Sequence, residues 1–187
     1  MYAPHEFYHV YNRGVGRQCI FTHDRNYIFL LRRAKRYLPD YDLRIIAYCL
    51  MPNHYHFLLC PGDEHAVPRF LQRLFSSYTQ AFNLQERRSG TLFQGRPRKV
   101  LVDSDGYLLH VCRYIHRNPL EAGLVEKLSD WPYSNYLEWI GAREGSLIDR
   151  EFVEAHFPTA GDYERFVLDD VDEAVEKRVL AYCVDGQ

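Results

Sequence analysis

No apolar run in this 187-residue chain approaches the roughly 18 residues that a membrane-spanning helix requires. The N-terminal stretch Met1-Tyr2-Ala3-Pro4-His5-Glu6 has neither the basic nor the apolar region of a secretory signal, so a cytoplasmic protein is expected. The five cysteines, Cys19, Cys49, Cys60, Cys112 and Cys183, form no Cys-x-x-Cys pair. An odd, unpatterned set suits reduced thiols and argues against both a disulfide framework and a thiolate zinc site. There is no P-loop, no internal repeat and no low-complexity tract, which removes ATP-driven chemistry and solenoid architectures from consideration.

What is present is a chain with 47% apolar and 26% charged residues, long enough for one domain with a real core. The net charge of −2 hides a strong asymmetry. Residues 1–125 carry 17 Lys and Arg against 10 Asp and Glu, and residues 126–187 carry 6 against 15. A body of net +7 suits a polyanion partner, and an acidic segment of net −9 follows it.

The hydrophobic periods give an order of elements. Phe7–Asn12 alternates as a strand. Asp24–Leu38 is helical, with Tyr27, Ile28, Leu31, Ala34 and Leu38 as its apolar stripe. Asp42–Leu50 is almost entirely apolar, so a central strand is expected. Pro52-Asn53 then turns it into a strand over His54–Cys60. A helix of about twenty residues follows from Val67. Thr91–Val102 next runs from a basic loop into a short strand, where Pro97 suggests a sheet edge or the strand's entry. A further helix runs from about Gly106 to Arg117, stopped by Asn118-Pro119. Beyond it, Phe166, Val167, Val171, Val175 and Val179 suggest an amphipathic packing helix. The first six elements are the β-α-β-β-α-β order of an α+β, ferredoxin-like fold, followed by one prominent helix and C-terminal helices.

Two stretches carry chemistry. His54 and His56 are i and i+2 in a strand, so they share a face about 6.6 Å apart along the backbone and can converge on one metal ion. In the helix after the last strand, Leu108, Val111, Cys112 and Ile115 form the buried stripe. Tyr107, His110, Tyr114, Arg117 and Asn118 share the opposite face. His110 and Asn118 lie one turn before and one turn after Tyr114. Asn118 can also be read as a helix terminator, and His110 as a surface histidine.

Tyr114-x-x-x-Asn118-Pro119 with Ala122-Gly123-Leu124-Val125, the upstream Pro52-Asn53-His54-Tyr55-His56-Phe57, Tyr11-Asn12-Arg13-Gly14 and Gln94-Gly95-Arg96-x-Arg98 together resemble the REP-associated tyrosine transposases. These belong to the single-tyrosine HUH transposases of small bacterial insertion sequences. The resemblance spans residues 5 to about 140. It implies that His54 and His56 are the HUH metal ligands, that Tyr114 is the nucleophile, and that Asn118 or His110 supplies the third ligand to Mg²⁺ or Mn²⁺. His110 is a departure, because the family often carries glutamate at that position.

The function so implied is cleavage and rejoining of single-stranded DNA beside a hairpin through a 5′-phosphotyrosine link, by a nucleoid-associated bacterial protein acting as monomer or homodimer. Asn12, Arg13, Arg17, Arg96, Arg98, Lys99 and Arg117 are the candidate DNA contacts, with Tyr8 and Tyr11 as stacking candidates. Residues 1–145 are expected to form the catalytic domain and 146–187 an acidic helical extension on or near it. Three alternatives remain open. They are a host-tamed HUH nuclease that does not transpose, a catalytically silent nucleic-acid-binding module, and a metal hydrolase that uses water as nucleophile.

Overall fold

Alternating side chains in the first strand can bury one face against each of two layers, and the fold does this throughout. The computed structural model describes residues 1–170 and 173–183. Its sheet comprises β1 (Phe7–Arg13), β2 (Leu43–Met51), β3 (His54–Pro61) and β4 (Arg98–Val102), in the order β2-β3-β1-β4 with every pairing antiparallel. α1 (Asp24–Tyr37) and α2 (Ala66–Gln85) complete the ferredoxin-like order. α3 (Asp105–Glu121), α4 (Tyr136–Trp139), α5 (Arg150–His156), α6 (Ala160–Leu168) and α7 (Glu173–Cys183) follow. Among the described residues, no helix is long and apolar enough to cross a membrane.

The sheet is therefore the middle of three layers. Val10, Tyr48, Tyr55, Phe57 and Leu59 pack with α1 and α2 on one face. Ile46, Ala47, Leu58 and Cys60 pack on the other face with Leu108, Val111, Cys112 and Ile115 of α3, the stripe read from the helical period. Phe152, Val153, Tyr163, Val167 and Val179 from the C-terminal helices finish this second core. Each such fully buried side chain contributes roughly 1.5–3 kcal/mol of transfer free energy.

Four expectations are corrected. β2 is an edge strand, although it is almost wholly buried. Its outer edge is covered: Leu50 N–H donates to the Tyr133 carbonyl, and Asn135 Oδ1 accepts from Tyr48 N–H at 2.7 Å. A bulge between Ile45 and Ala47 turns both Ile46 and Ala47 toward α3. In α1 the buried stripe is Tyr27, Leu30, Ala34 and Tyr37, which join the core shared with the sheet and α2, and Ile28 is exposed.

α3 does not stop at Asn118 but carries Pro119 inside it and ends at Glu121. Pro119 lies in the last turn and forgoes one backbone hydrogen bond to the carbonyl four residues before it. The stop is a Schellman turn: Leu124 N–H donates to Pro119 O and Gly123 N–H to Leu120 O, with Gly123 at φ +66°. The C-terminal amphipathic pattern is two helices, α6 and α7, with Asp169 and Asp170 between them; Val171 lies outside the described residues.

Candidate active site

β3 carries His54 and His56 to the α3 face, and the two rings sit perpendicular with centroids 4.9 Å apart. Each ring has one nitrogen held from behind. His54 Nδ1 lies 2.7 Å from Asn53 Oδ1, and His56 Nδ1 lies 2.9 Å from His9 Nε2. Such partners fix ring orientation and leave Nε2 as the outward nitrogen. His54 Nε2 is 3.5 Å from Asn118 Oδ1. His56 Nε2 is buried and, among the described residues, has no hydrogen-bond partner. Burial, and then the neighbouring His54 and His9, hold the His56 imidazole well below its ordinary pKa, so it is neutral, and the tautomer whose Nδ1–H donates to His9 Nε2 leaves a lone pair on Nε2.

α3 brings Tyr114 over this pair. Its ring is 5.6 Å from that of His56 and 6.3 Å from that of His9, nearly perpendicular to both. Asn118, one turn on, donates from Nδ2 to the Tyr114 carbonyl at 2.8 Å, which aims Oδ1 toward His54. Among the described residues no three His, Cys, Asp or Glu groups gather as a metal cluster, so a third protein donor here would be the Asn118 amide oxygen.

His110 takes another direction. Its ring packs 5.2 Å from Phe166 of α6, and its buried Nδ1 has no hydrogen-bond partner among the described residues. Burial first, and Arg113 second, lower its pKa. With Tyr114, Arg113 and Arg117 it lines a cleft of about 180 Å³, closed from the far side by Asp170, Glu176 and Val179. Of the two residues expected to compete as third ligand, only Asn118 is seen beside His54.

The expected DNA contacts divide. Arg13, which pairs across from His54 in register, donates to Gln94 at 2.7 Å. Arg17, Arg96, Arg98 and Lys99 lie exposed at the β4 edge and the adjoining loops. Asn12 is buried and ties Gly95 O to β1. Arg117 is not on this surface: it is engaged with Glu121 at 3.1 Å and the Val167 carbonyl at 2.9 Å. Tyr8 and Tyr11 are both buried and cannot serve as open stacking platforms. In the Asn12–Arg17 loop, a side chain on Gly14 would collide with Gln18 O at 2.2 Å, so that glycine serves the protein's own packing, whereas Gly16 faces open space.

The residue missed by sequence reasoning is His9. It is wholly buried, stacks on His56 with centroids 5.0 Å apart, and rests on Tyr11. The alternation of β1 shows that His9 and Tyr11 share a face. That this face meets His56 depends on the register, Tyr11 opposite His56 and His9 opposite Leu58.

Comparison with known proteins bears on this arrangement. Residues 5–118 match the family described as Transposase IS200 like. A Haemophilus influenzae (strain Rd) protein with the provisional name REP-associated tyrosine transposase is 29% identical over 134 residues, 58% of this chain and 76% of its own. An Escherichia coli K12 REP-associated tyrosine transposase is 27% identical over 99 residues, 52% of this chain and 56% of its own. The solved structure of a REP-associated tyrosine transposase bound to a REP hairpin superposes with a TM-score of 0.65 at 19% identity, covering 80% of this chain and 91% of that one, and so shares the fold. The matched region ends on Asn118 and contains both histidines and Tyr114: the chain belongs to the IS200-like transposases and is an HUH single-tyrosine transposase.

Proposed function

We propose that this chain cuts and rejoins single-stranded DNA beside a hairpin, with Tyr114 as nucleophile and His54, His56 and Asn118 as the ligands of a divalent cation. The observation that carries the reading is the unpartnered, buried Nε2 of His56, set beside His54 Nε2 and Asn118 Oδ1 under the Tyr114 ring. Two neutral imidazoles and an amide oxygen suit Mn²⁺ or Mg²⁺ and leave the ion's charge undiminished. When bound, that ion supplies Lewis acidity to the scissile phosphate.

The chain's own residues do the rest. Tyr114 attacks phosphorus, its phenolic proton leaves, the bond to the 3′ oxygen breaks, and that oxygen leaves as a hydroxyl. One phosphodiester is exchanged for another, so a 3′-OH can reverse the step and join strands without ATP. The ordinary tyrosine pKa near 10 makes the phenol a weak nucleophile until a positive centre is close, which is why Tyr114 must sit over the histidines. Arg13 and Arg98, on the histidine face, would hold the phosphates beside it, with Arg17, Arg96 and Lys99 exposed further along the sheet edge. Arg117, engaged within α3 and α6, is left out. We read residues 1–145 as the catalytic unit and 146–187 as an extension packed on α3, in a cytoplasmic protein.

The test uses labelled hairpin oligonucleotides with an unpaired flank, Mn²⁺ and a denaturing gel. A protein–DNA adduct is expected from the wild type and none from Tyr114→Phe. Cleavage that persists in Tyr114→Phe would favour a water nucleophile, and binding without any adduct would favour a silent module.

A further inference from the structure

Arg13 stands beside the histidine pair and is held there from several sides. Alternation along β1 places His9, Tyr11 and Arg13 on one face, and the register sets Tyr11 opposite His56 and Arg13 opposite His54. Directly opposed residues of an antiparallel pair hold their Cβ atoms about 5 Å apart, so the Arg13 side chain rises next to His54. The backbone around it is tied in both directions across the sheet. Toward β3, Gly14 N–H donates to Asn53 O at 2.9 Å, and Asn53 Oδ1 lies 2.7 Å from His54 Nδ1. Toward β4, Gln94 N–H donates to Arg13 O at 2.8 Å and Val15 N–H to Leu92 O at 3.1 Å. The buried Asn12 accepts from Arg13 N–H at 2.8 Å and donates to Gly95 O. Arg13 and His54 are thus carried by one hydrogen-bonded frame.

The side chain is restrained as well. Arg13 Nε donates to Gln94 Oε1 at 2.7 Å. Among the described residues its two terminal nitrogens have no partner, and it enters no ion pair. A carboxylate at position 94 would fix the guanidinium and cancel its charge. The Gln94 amide oxygen fixes it and leaves the charge whole, with the forked N–H₂ groups open to two oxygens of one phosphate. The chemistry requires such a group. As Tyr114 Oη bonds to phosphorus and the bond to the 3′ oxygen breaks, the phenolic proton is lost and the 3′ oxygen takes one up. In between, negative charge is spread over the phosphate oxygens. A cation fixed in advance stabilises that charge without reorganising.

We infer that Arg13 is a catalytic residue that grips the scissile phosphate in the transition state, and that Gln94 is the positioning residue that aims it. The inference rests on the Tyr114 reading given above, and the test keeps the two apart. The cut position is first mapped with wild-type protein on a hairpin oligonucleotide carrying an unpaired flank. The same oligonucleotide is then made with an uncharged methylphosphonate at that position. Release of the labelled 3′-OH fragment is followed in single turnovers with Mn²⁺ and saturating protein, and binding by fluorescence anisotropy in EDTA. Arg13→Ala should melt with the wild type, bind within about threefold of it, and cut the phosphate DNA about 10²–10³-fold more slowly. On the methylphosphonate, where the charge to be stabilised is gone, the two proteins should cut at rates within about threefold of each other. Arg13→Lys, which keeps the charge and loses the fork, should regain only about tenfold. Gln94→Ala should slow the wild type about tenfold and leave Arg13→Ala no slower than before. An Arg13→Ala defect of equal size on both DNAs, or one matched by weaker binding, overturns the inference and leaves Tyr114 as nucleophile. Wild-type cleavage by Arg13→Ala, or full additivity with Gln94→Ala, overturns it as well. No cleavage and no adduct from the wild type overturns the catalytic reading itself.

Discussion

His56 and Tyr55 are neighbours in β3, yet they end on opposite faces of the sheet, each with a polar atom that has no hydrogen-bond partner among the described residues. The two faces are built differently around them. On the α3 side three histidines are buried, His9, His56 and His116, and the first two press against Tyr114. On the α2 side the core is aliphatic and aromatic, and among the described residues none of the three buried histidines lies there. One strand with a period of two thus keeps the bond-breaking groups on one face and an aromatic groove on the other. The difference teaches that an unmet donor or acceptor has to be judged by its surroundings. Among neutral imidazoles it points to a cation, whereas among close-packed aromatic rings it is a cost that the packing offsets.

The comparison can be broken by experiment. The largest effect expected is from His56→Ala, which should reduce adduct formation by about 10³ or more while hairpin binding stays within about twofold, as gel and anisotropy titrations would show. If binding fell in step with cleavage, the two faces would not be separable.

The second concerns pH. Burial pushes His116 down to about 4 and holds His56 low as well, both below the unfolded value near 6.5. A depressed histidine takes up its proton more readily when unfolded, so stability present above pH 6.5 is lost as the pH falls toward 4. His116 alone accounts for about 3 kcal/mol. Urea midpoints at pH 7 and pH 4.5 would show the loss, and His116→Gln should flatten it. A pH-independent midpoint would remove the α3 layer as the acid-sensitive one.

A third prediction sharpens the histidine face. His9→Leu should weaken Mn²⁺ binding by about 10–100-fold, measured by calorimetry, whereas His9→Gln, which keeps an acceptor near His56 Nδ1, should retain most of it. The smallest effect is structural: Gly123→Ala, forced to keep a positive φ, should cost about 1 kcal/mol of stability and leave both faces working.

How much of this was legible without the fold follows from what each feature depends on. The pairing of His54 with His56 and the placing of Asn118 one turn beyond Tyr114 depend only on periods of two and 3.6, so both are visible in the sequence. His9 depends on the register between β1 and β3, which no local pattern specifies. β2 looks central because it is apolar, but its burial comes from Tyr133–Asn135 lying along its edge, a contact some 85 residues away in the chain. The alternation of β3 shows that Tyr55 faces away from the histidines. That its hydroxyl ends unmet beside a groove depends on how α2 and the 93–99 loop close over it. Arg117 and His110 read as site residues on their own helix, and what their helix alone does not show is that α6 supplies a partner to each, the Val167 carbonyl and the Phe166 ring.

The most direct test is to identify which tyrosine carries the DNA. Wild-type protein is incubated with Mn²⁺ and a flanked hairpin, digested with trypsin and nuclease, and the nucleotide-bearing peptide is sequenced by mass spectrometry. The nucleotide is expected on Tyr114 and on none of the other tyrosines among the fifteen. A nucleotide on another tyrosine, or cleaved DNA with no modified peptide, would contradict the account.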